Sequence, residues 1–183
     1  MSRRSGTSFN IAYCGIIVAI SVIVMLAALI PSLTYLLPAV SGLCVWTVSE
    51  QLDRKWGLLA YAASAVLCFM LIPEIEADLY YLFFFGYYPI IKELLERIKP
   101  KPVAFVAKFA VFNLSVVTAF LILSRIMNLA QILEGLESFG DMAVYVLWIS
   151  ADIAFIVYDL CLGNVFFAFR KWLKPKINKK LKR

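Results

Sequence analysis

Apolar runs of about 20 residues recur along this chain, and they restrict its possible folds more than any other feature. A helix rises about 1.5 Å per residue, so a run of this length crosses about 30 Å of hydrocarbon. In lipid the backbone must satisfy its own hydrogen bonds, so such runs form helices. Hydrophobic residues make up 63% of the sequence and charged residues 16%, a balance that soluble domains do not show.

These runs predict an all-α membrane protein, a bundle of about six transmembrane helices. We expect the spans at about 9–30, 33–49, 56–72, 79–95, 103–124 and 142–169. Residues 1–173 would form a single six-helix transmembrane domain, and residues 174–183 a basic cytoplasmic tail. Apolar residues at helical spacing within 127–140 predict a short interfacial helix, and Pro38 predicts a kink in the second span.

The basic residues are distributed unequally between the two predicted sides of the membrane. Of the 18 lysines and arginines, all except Arg125 fall at the termini, in the second and fourth predicted loops, or in the adjoining ends of the spans. Because basic loops stay in the cytoplasm, this distribution predicts that both ends of the chain are cytoplasmic (N-in, C-in). The net charge of +6 is then explained by contact with an anionic lipid bilayer, and it indicates no nucleic-acid partner.

Metal and enzyme signatures are missing from the sequence. There is no histidine, and the four cysteines lie in apolar runs without a Cys-x-x-Cys motif. No phosphate-binding loop and no nucleophile paired with a histidine base is present. We therefore predict that the protein is not an enzyme and that it binds neither a metal nor a cofactor.

Two acidic residues in the last predicted span are candidates for a functional role. Asp152 and Asp159 are seven residues apart and share a helix face with Trp148. An ionisable side chain inside a membrane is costly and often functional. The alternative is a structural ion pair with Lys108 or Lys92, an interpretation that fits Asp159 better than Asp152.

The aromatic run at 80–88 is a second candidate region. Tyr81 is expected at the outer interface, where aromatic belts occur, whereas the deeper rings would either pack the bundle or wall a pocket for a flat ligand. Gly86 and Pro89 can bend the helix where it lines a cavity. Asn113 in the fifth span would line the same pocket or join neighbouring helices.

Small residues form a line on the first predicted span, at steps of four, three and four: Ser8, Ala12, Gly15 and Ala19. Small residues at this spacing let another helix approach closely. The pattern predicts a contact helix, either inside the bundle or with a partner protein.

The size, the six-helix layout, the cytoplasmic ends and the small-residue line resemble the S components, which are the substrate-binding membrane subunits of energy-coupling factor (ECF) transporters. The resemblance implies that the first helix docks on a transmembrane coupling subunit, which acts with a pair of ATPases, through Ser8, Ala12, Gly15 and Ala19. It also implies an outward-facing pocket for a small-molecule substrate, approached by Tyr81, Asn113, Trp148 and Asp152. The turn between the first two spans and residues 127–140 would act as its lid.

The sequence features are therefore compatible with three functions. The first is a substrate-binding subunit of an ECF-type uptake transporter for a vitamin or other small metabolite, in a bacterial plasma (inner) membrane. Aromatic walls favour a ring-bearing ligand, and Asp152 favours a positively charged group or a hydrogen-bond donor. The second is a small proton-linked carrier that uses Asp152 and Asp159 as relay sites. The third is a non-transporting membrane scaffold or assembly protein.

Overall fold

The structure, a computed structural model, describes residues 3–30, 33–126 and 142–173. Helices account for nearly all of them, and no strand occurs in these ranges. The chain divides into two compact units, Met1–Ile122 and Leu123–Arg183. The prediction of one transmembrane domain over 1–173 stays a prediction, and the predicted basic tail and interfacial helix lie outside the described residues.

The first unit is built from six helices and one π-helical turn. In chain order these are α1 (Arg3–Leu26, followed by the 3-10 turn Ala27–Leu29), α2 (Leu36–Gln51), α3 (Arg54–Leu71), α4 (Ile75–Tyr80), the π turn (Tyr81–Phe85), α5 (Tyr88–Glu96) and α6 (Lys101–Ile126). Helix α6 continues past the boundary between the two units.

Helices α1, α2 and α3 pack against one another and form the centre of the first unit. The segment α4–π turn–α5, residues 75–96, then lies on α2 and α3. A continuous apolar cluster joins these elements, with Met25 from α1, Cys68 from α3, and Ala77 and Tyr81 from the 75–96 segment. Burial of these side chains holds the segment in place, because apolar contact area is the main stabilising term.

The second predicted span differs from the structure in length and in shape. Helix α2 has 16 residues, which gives a length of about 24 Å, less than the hydrocarbon core of a typical bilayer. The predicted kink at Pro38 is wrong, because α2 begins at Leu36 and the proline lies in its first turn. A proline in the first turn removes no intrahelical hydrogen bond.

The second unit contains α7 (Ala143–Ala168) and a π-helical extension (Phe169–Leu173). Its buried side chains recur at steps of four and three, so they form one face of the helix: Phe155, Asp159, Leu162, Phe166 and Phe169. Asp152 and Trp148 continue this face and are half-buried, whereas Tyr145 is 69% exposed. Because α7 is continuous over these residues, the two aspartates share one face, as predicted.

Four helices in the described part of the chain are long and apolar enough to cross a membrane. They cover Gly6–Leu29, Arg54–Leu71, Lys101–Ile126 and Val144–Trp172. The other two predicted spans correspond to the short helix α2 and to the interrupted segment 75–96. The structure therefore establishes an all-helical fold with four candidate membrane-spanning helices, and the count of six stays a prediction.

Candidate functional site

The segment 75–96 is interrupted near its middle by the π turn. The backbone N–H of Gly86 donates to the carbonyl of Tyr81 at 2.8 Å, one residue further back than in an α-helix. Helix α5 starts two residues later, with Pro89 in its first turn, where a proline is tolerated. Isolated π turns inside helical segments are frequent at functional sites.

Two glycines allow this interrupted backbone to lie directly against its neighbours. A Cβ atom on Gly42 of α2 would lie 1.9 Å from the carbonyl oxygen of Phe85. A Cβ atom on Gly86 would lie 2.5 Å from the ring of Tyr61 and 2.8 Å from the carbonyl oxygen of Tyr81. No side chain fits at either position, so the local sequence permits a contact that any other residue would block.

Four hydroxyl groups, each from a different element, meet beside the π turn. The hydroxyl of Tyr81 lies 2.6 Å from the Oγ of Ser64 and 3.3 Å from the Oγ of Ser21. Ser21 is in turn 2.5 Å from the Oγ of Ser41. All four side chains have 0% solvent exposure. We call Tyr81, Ser64, Ser21 and Ser41 the hydroxyl cluster; it carries no charge and each member has a partner, as buried polar groups require.

The hydroxyl of Tyr61 binds a carbonyl group that the π turn leaves without its usual N–H donor. In an α-helix the N–H of Gly86 would bind the carbonyl of Leu82, but here that N–H binds Tyr81. The hydroxyl of Tyr61 donates to the Leu82 carbonyl at 2.5 Å. A side chain of α3 therefore stabilises the interrupted geometry, because an unpaired carbonyl in an apolar environment is costly.

Helix α6 contacts the same segment through polar and aromatic groups. The hydroxyl of Tyr87 lies 2.9 Å from the Oγ of Ser115, and the ring of Phe84 meets Phe112 edge-on with centroids 5.1 Å apart. The π turn and the residues after it therefore contact α6 as well as α2 and α3.

A charged cluster lies at the α5 end of the segment. The Nζ of Lys92 is 3.0 Å from Glu96 Oε1, and the Nζ of Lys108 is 3.5 Å from the same oxygen. Lys92 is 2% exposed and Lys108 is 9% exposed, so two nearly buried ammonium groups share one carboxylate. Glu96 is thus a partner of both lysines, and the predicted ion pair of Asp159 with Lys108 or Lys92 stays a prediction.

The opposite end of the segment carries a buried acid. Asp78 is 4% exposed, and its Oδ1 atom has no hydrogen-bond partner among the residues that the structure describes. Burial, with a smaller contribution from the charge of Glu74, raises the pKa of the Asp78 carboxyl to about 6. The neighbouring thiol of Cys68 on α3 interacts electrostatically with this carboxyl.

Two tyrosines and a second carboxylate lie at the same end. The hydroxyls of Tyr35 and Tyr80 both donate to Glu76 Oε1, at 2.9 and 3.0 Å. The two rings are tilted against each other with centroids 5.4 Å apart. This arrangement fixes the start of α2 against α4.

The predicted pocket residues fall in both units. Tyr81 belongs to the hydroxyl cluster and is fully buried, and its predicted position at the outer interface stays a prediction. Asn113 is half-buried, and its amide donates to the carbonyl of Phe109 on its own helix at 3.1 Å. Trp148 and Asp152 lie one turn apart on α7 in the second unit. A shared pocket for these four residues stays a prediction.

The predicted docking line is exposed along its whole length: Ser8, Ala12, Gly15 and Ala19. Among the residues that the structure describes, no atom of a neighbouring segment lies within 4 Å of the place where a Cβ of Gly15 would be. A different face of α1, with Val18, Ser21 and Val22, is buried against the unit.

Sequence reasoning missed the hydroxyl cluster and the buried state of Asp78. In the sequence these three serines, Ser21, Ser41 and Ser64, are isolated polar residues inside apolar runs. That isolation could have indicated that they form buried hydrogen bonds. Asp78 falls between the predicted spans at 56–72 and 79–95, beside Glu74 and Glu76, and this position suggests an acidic loop. Its burial depends on the packing of α4 on α3, which no local pattern shows.

Comparison with protein-family models, with curated proteins and with solved structures gives no match to this chain.

Proposed function

We propose that the protein is a substrate-binding membrane subunit of an uptake transporter of the ECF kind. It would take up a vitamin or other small metabolite from outside a bacterial plasma membrane, with both chain ends in the cytoplasm. A separate coupling subunit and a pair of ATPases would supply the energy. In this proposal the two remaining predicted spans, at 33–49 and 79–95, also cross the membrane, which gives the count of six.

The exposed small-residue line of α1 carries the proposal. One face of α1 packs on α2 and α3, whereas Ala12, Gly15 and Ala19 face away and are exposed. The sequence alone left open whether this line packs inside the bundle or on a partner. The exposure of all its members supports a partner, because close helix approach needs small residues on a free surface.

The interrupted segment supports a binding role. Discontinuous helices in membrane transporters expose backbone groups and buried polar side chains where substrates and ions bind. Here the segment joins the buried carboxyl of Asp78, the hydroxyl cluster and the Lys92–Glu96–Lys108 charges. Packing alone would be served as well by apolar residues, so this concentration of buried polar groups favours a site.

The proposal is tested by mass spectrometry on the tagged protein, extracted gently from its native membrane. The expected result is co-extraction of a larger membrane subunit and two ATPases. Recovery of the protein alone, or only as a homodimer, from membranes of cells that contain those subunits would contradict it.

A proton-linked carrier is the second candidate, and Asp78 favours it. A buried carboxyl that titrates near pH 6 can gain and lose a proton under physiological conditions. A carrier of this kind would transport substrate in liposomes that contain this protein alone and a pH gradient. The ECF-type proposal requires that such liposomes show no uptake until the coupling subunit and ATP are added.

A further inference from the structure

Helix α4 is a short element that lies between two irregular stretches of backbone. It has six residues, Ile75–Tyr80, and the residues just before it, 72–74, belong to no helix. The π turn follows it directly. An isolated helix of fewer than about 12 residues is marginal in water, so α4 owes its stability to its contacts with α2, α3 and the π turn.

The contacts that hold α4 are apolar on one side of the helix and polar on another. Ala77 is fully buried in the apolar cluster, where it joins Met25 of α1 and Cys68 of α3. On a different side of α4, Glu76 accepts a hydrogen bond from Tyr35, which precedes α2. Helices α1, α2 and α3 also pack against one another without α4. Segments with little buried surface open at a lower free energy than the whole structure unfolds, so α4 can be released while α1–α3 stay packed.

Asp78 opposes the packing of α4 whenever it is ionised. Its side chain is 4% exposed, and its Oδ1 atom has no hydrogen-bond partner among the described residues. Residues 5–53 and 56–91, which include nearly all of α1, α2, α3 and α4, contain no lysine, arginine or histidine. The basic residues at the start of α3 lie about 20 Å along the helix from Cys68. A carboxylate buried without a donor or a cation is unfavourable, and release of α4 into water removes that cost.

The closed and released positions of α4 give Asp78 different proton affinities. With α4 closed, burial and, to a smaller extent, the charge of Glu74 raise the pKa of the Asp78 carboxyl from 3.8 to about 6. With α4 released, the carboxyl meets water and its pKa returns to the ordinary value. Residues 19–30, at the end of α1 and in its 3-10 turn, contain no ionisable side chain. Besides Asp78, the ionisable residues of segments 31–43 and 61–81 include no cation and are Tyr35, Tyr61, Cys68, Glu74, Glu76, Tyr80 and Tyr81.

We propose that α4 is a pH-dependent flap, which is released from α3 when Asp78 is ionised and closes when Asp78 is protonated. The released form binds fewer protons, so the ratio of released to closed protein rises with pH. The difference between the two pKa values gives an increase of about tenfold between pH 5 and pH 7.5. Release uncovers Met25 and Cys68 at this end of the unit. The inference goes beyond the proposed function and does not depend on it; with both chain ends in the cytoplasm, the flap would face the outside.

The thiol of Cys68 reports on the flap, because this residue is 1% exposed when α4 is closed. Replacing Cys14, Cys44 and Cys161 with alanine leaves it as the only thiol. The full chain in detergent is labelled with dithiodipyridine, which reacts with thiols at acidic as well as neutral pH. Thiols react faster as the pH rises, so each labelling rate is divided by that of Asp78→Asn at the same pH. The quotient should exceed one, and it should be about tenfold larger at pH 7.5 than at pH 5.

A second thiol distinguishes release of α4 from unfolding of the whole unit. Val48→Cys, in a protein whose native cysteines are all replaced by alanine, places this thiol near the C-terminal end of α2, where Val48 is 0% exposed. The introduced thiol reacts only through global unfolding, so it should react at least about tenfold more slowly than Cys68. Glu74→Gln removes the other carboxyl whose charge acts on Asp78, and it should leave the pH dependence at Cys68 in place.

Hydrogen exchange of the wild-type α4 amides gives the same comparison without a substitution at Asp78. After correction for intrinsic exchange rates, protection should be about tenfold lower at pH 7.5 than at pH 5. Four results would overturn the proposal: a labelling quotient that is the same at both pH values, equal labelling of Cys68 and the introduced thiol, loss of the pH dependence in Glu74→Gln, and protection of α4 that does not change with pH. None of these measurements involves a transport partner, so failure of this inference and failure of the proposed function are distinguishable.

Discussion

The hydroxyl of Tyr81 lies 2.6 Å from the Oγ of Ser64, at a point where neither side chain has any solvent exposure. The same hydroxyl lies 3.3 Å from Ser21 on α1, so one phenol links the π turn to two helices. A buried hydroxyl left without its partner costs about 1–3 kcal/mol. This cluster therefore has a measurable share in the stability of the interrupted segment.

Replacing Tyr81 with phenylalanine should lower the free energy of unfolding by about 1–3 kcal/mol, because the serines lose an acceptor or donor. Ser64→Ala should cost a similar amount, and the double variant should cost less than the sum of the two. Unfolding in mixed detergent micelles measures all three. Tyr145→Phe, at a residue that is 69% exposed, is the control and should be neutral. Strict additivity would show that the two hydroxyls do not interact.

Gly42→Ala should destabilise the protein by about 1–3 kcal/mol or more, because the new Cβ would collide with the Phe85 carbonyl at 1.9 Å. Gly163→Ala makes the same change on α7, where the described part of the chain has no atom within 4 Å of the Cβ position. The control should be neutral or stabilising by up to about 1 kcal/mol, since alanine is the better helix former. Thermal unfolding in detergent distinguishes the two; equal effects would mean that α2 does not lie against the π turn.

The stability of the protein should depend on pH through Asp78. Its pKa is raised from 3.8 to about 6 in the folded state, so between these values the folded state binds more protons than the unfolded state. The free energy of unfolding must then fall as the pH rises through this window, and this loss of stability is complete above it. Asp78→Asn removes the ionisable group and with it this loss.

Melting temperatures of the wild type and of Asp78→Asn from pH 4 to pH 7.5 test this sign. The variant should be the more stable protein at pH 7.5, and the gap should narrow toward pH 4. Asp53→Asn leaves Asp78 intact and should follow the wild-type profile. A gap that is constant with pH, or that widens toward pH 4, would contradict the assignment.

Glu96→Gln should destabilise the protein by about 1–3 kcal/mol, because Lys92 and Lys108 are nearly buried and share its carboxylate. Lys92→Met should cost less, since methionine fills a similar volume and removes a buried charge instead of leaving one unpaired. Chemical unfolding of both variants in detergent gives the comparison. A larger loss for Lys92→Met would show that the lysine has a role beyond its pairing with Glu96.

Much of the helical framework could be predicted from the sequence. The runs at 9–30, 56–72, 103–124 and 142–169 correspond to α1, α3, α6 and α7, because continuous apolar length is a local property. The run at 79–95 was also found, but its interruption depends on tertiary contacts. Gly42 and Tyr61 stabilise the π turn from other helices, and only Gly86 and Pro89 marked the place in advance.

The candidate site was predicted less well, for a physical reason. Tyr81 was identified from aromatic density, yet its partners Ser21, Ser41 and Ser64 lie 60, 40 and 17 residues away, and pairing over such distances leaves no periodic signal. Asp78 resembles its loop neighbours in sequence and differs from them only in burial. The exposure of Ala12 and Gly15 likewise required the packing of α1 to be known.

The central claim is that the exposed line of α1 docks on a transport partner, and Gly15→Leu tests it most directly. The variant adds bulk where no atom of the described residues lies within 4 Å of the Cβ position, so folding should be unaffected. Gly163→Leu, equally open, is the matched control. Native membranes from both strains are extracted, and the coupling subunit and ATPases are quantified by mass spectrometry against the tagged protein. We predict that Gly15→Leu loses these partners at an unchanged protein level and melting temperature, whereas Gly163→Leu retains them. Full retention of the partners by Gly15→Leu, or equal loss in both variants, would contradict the account.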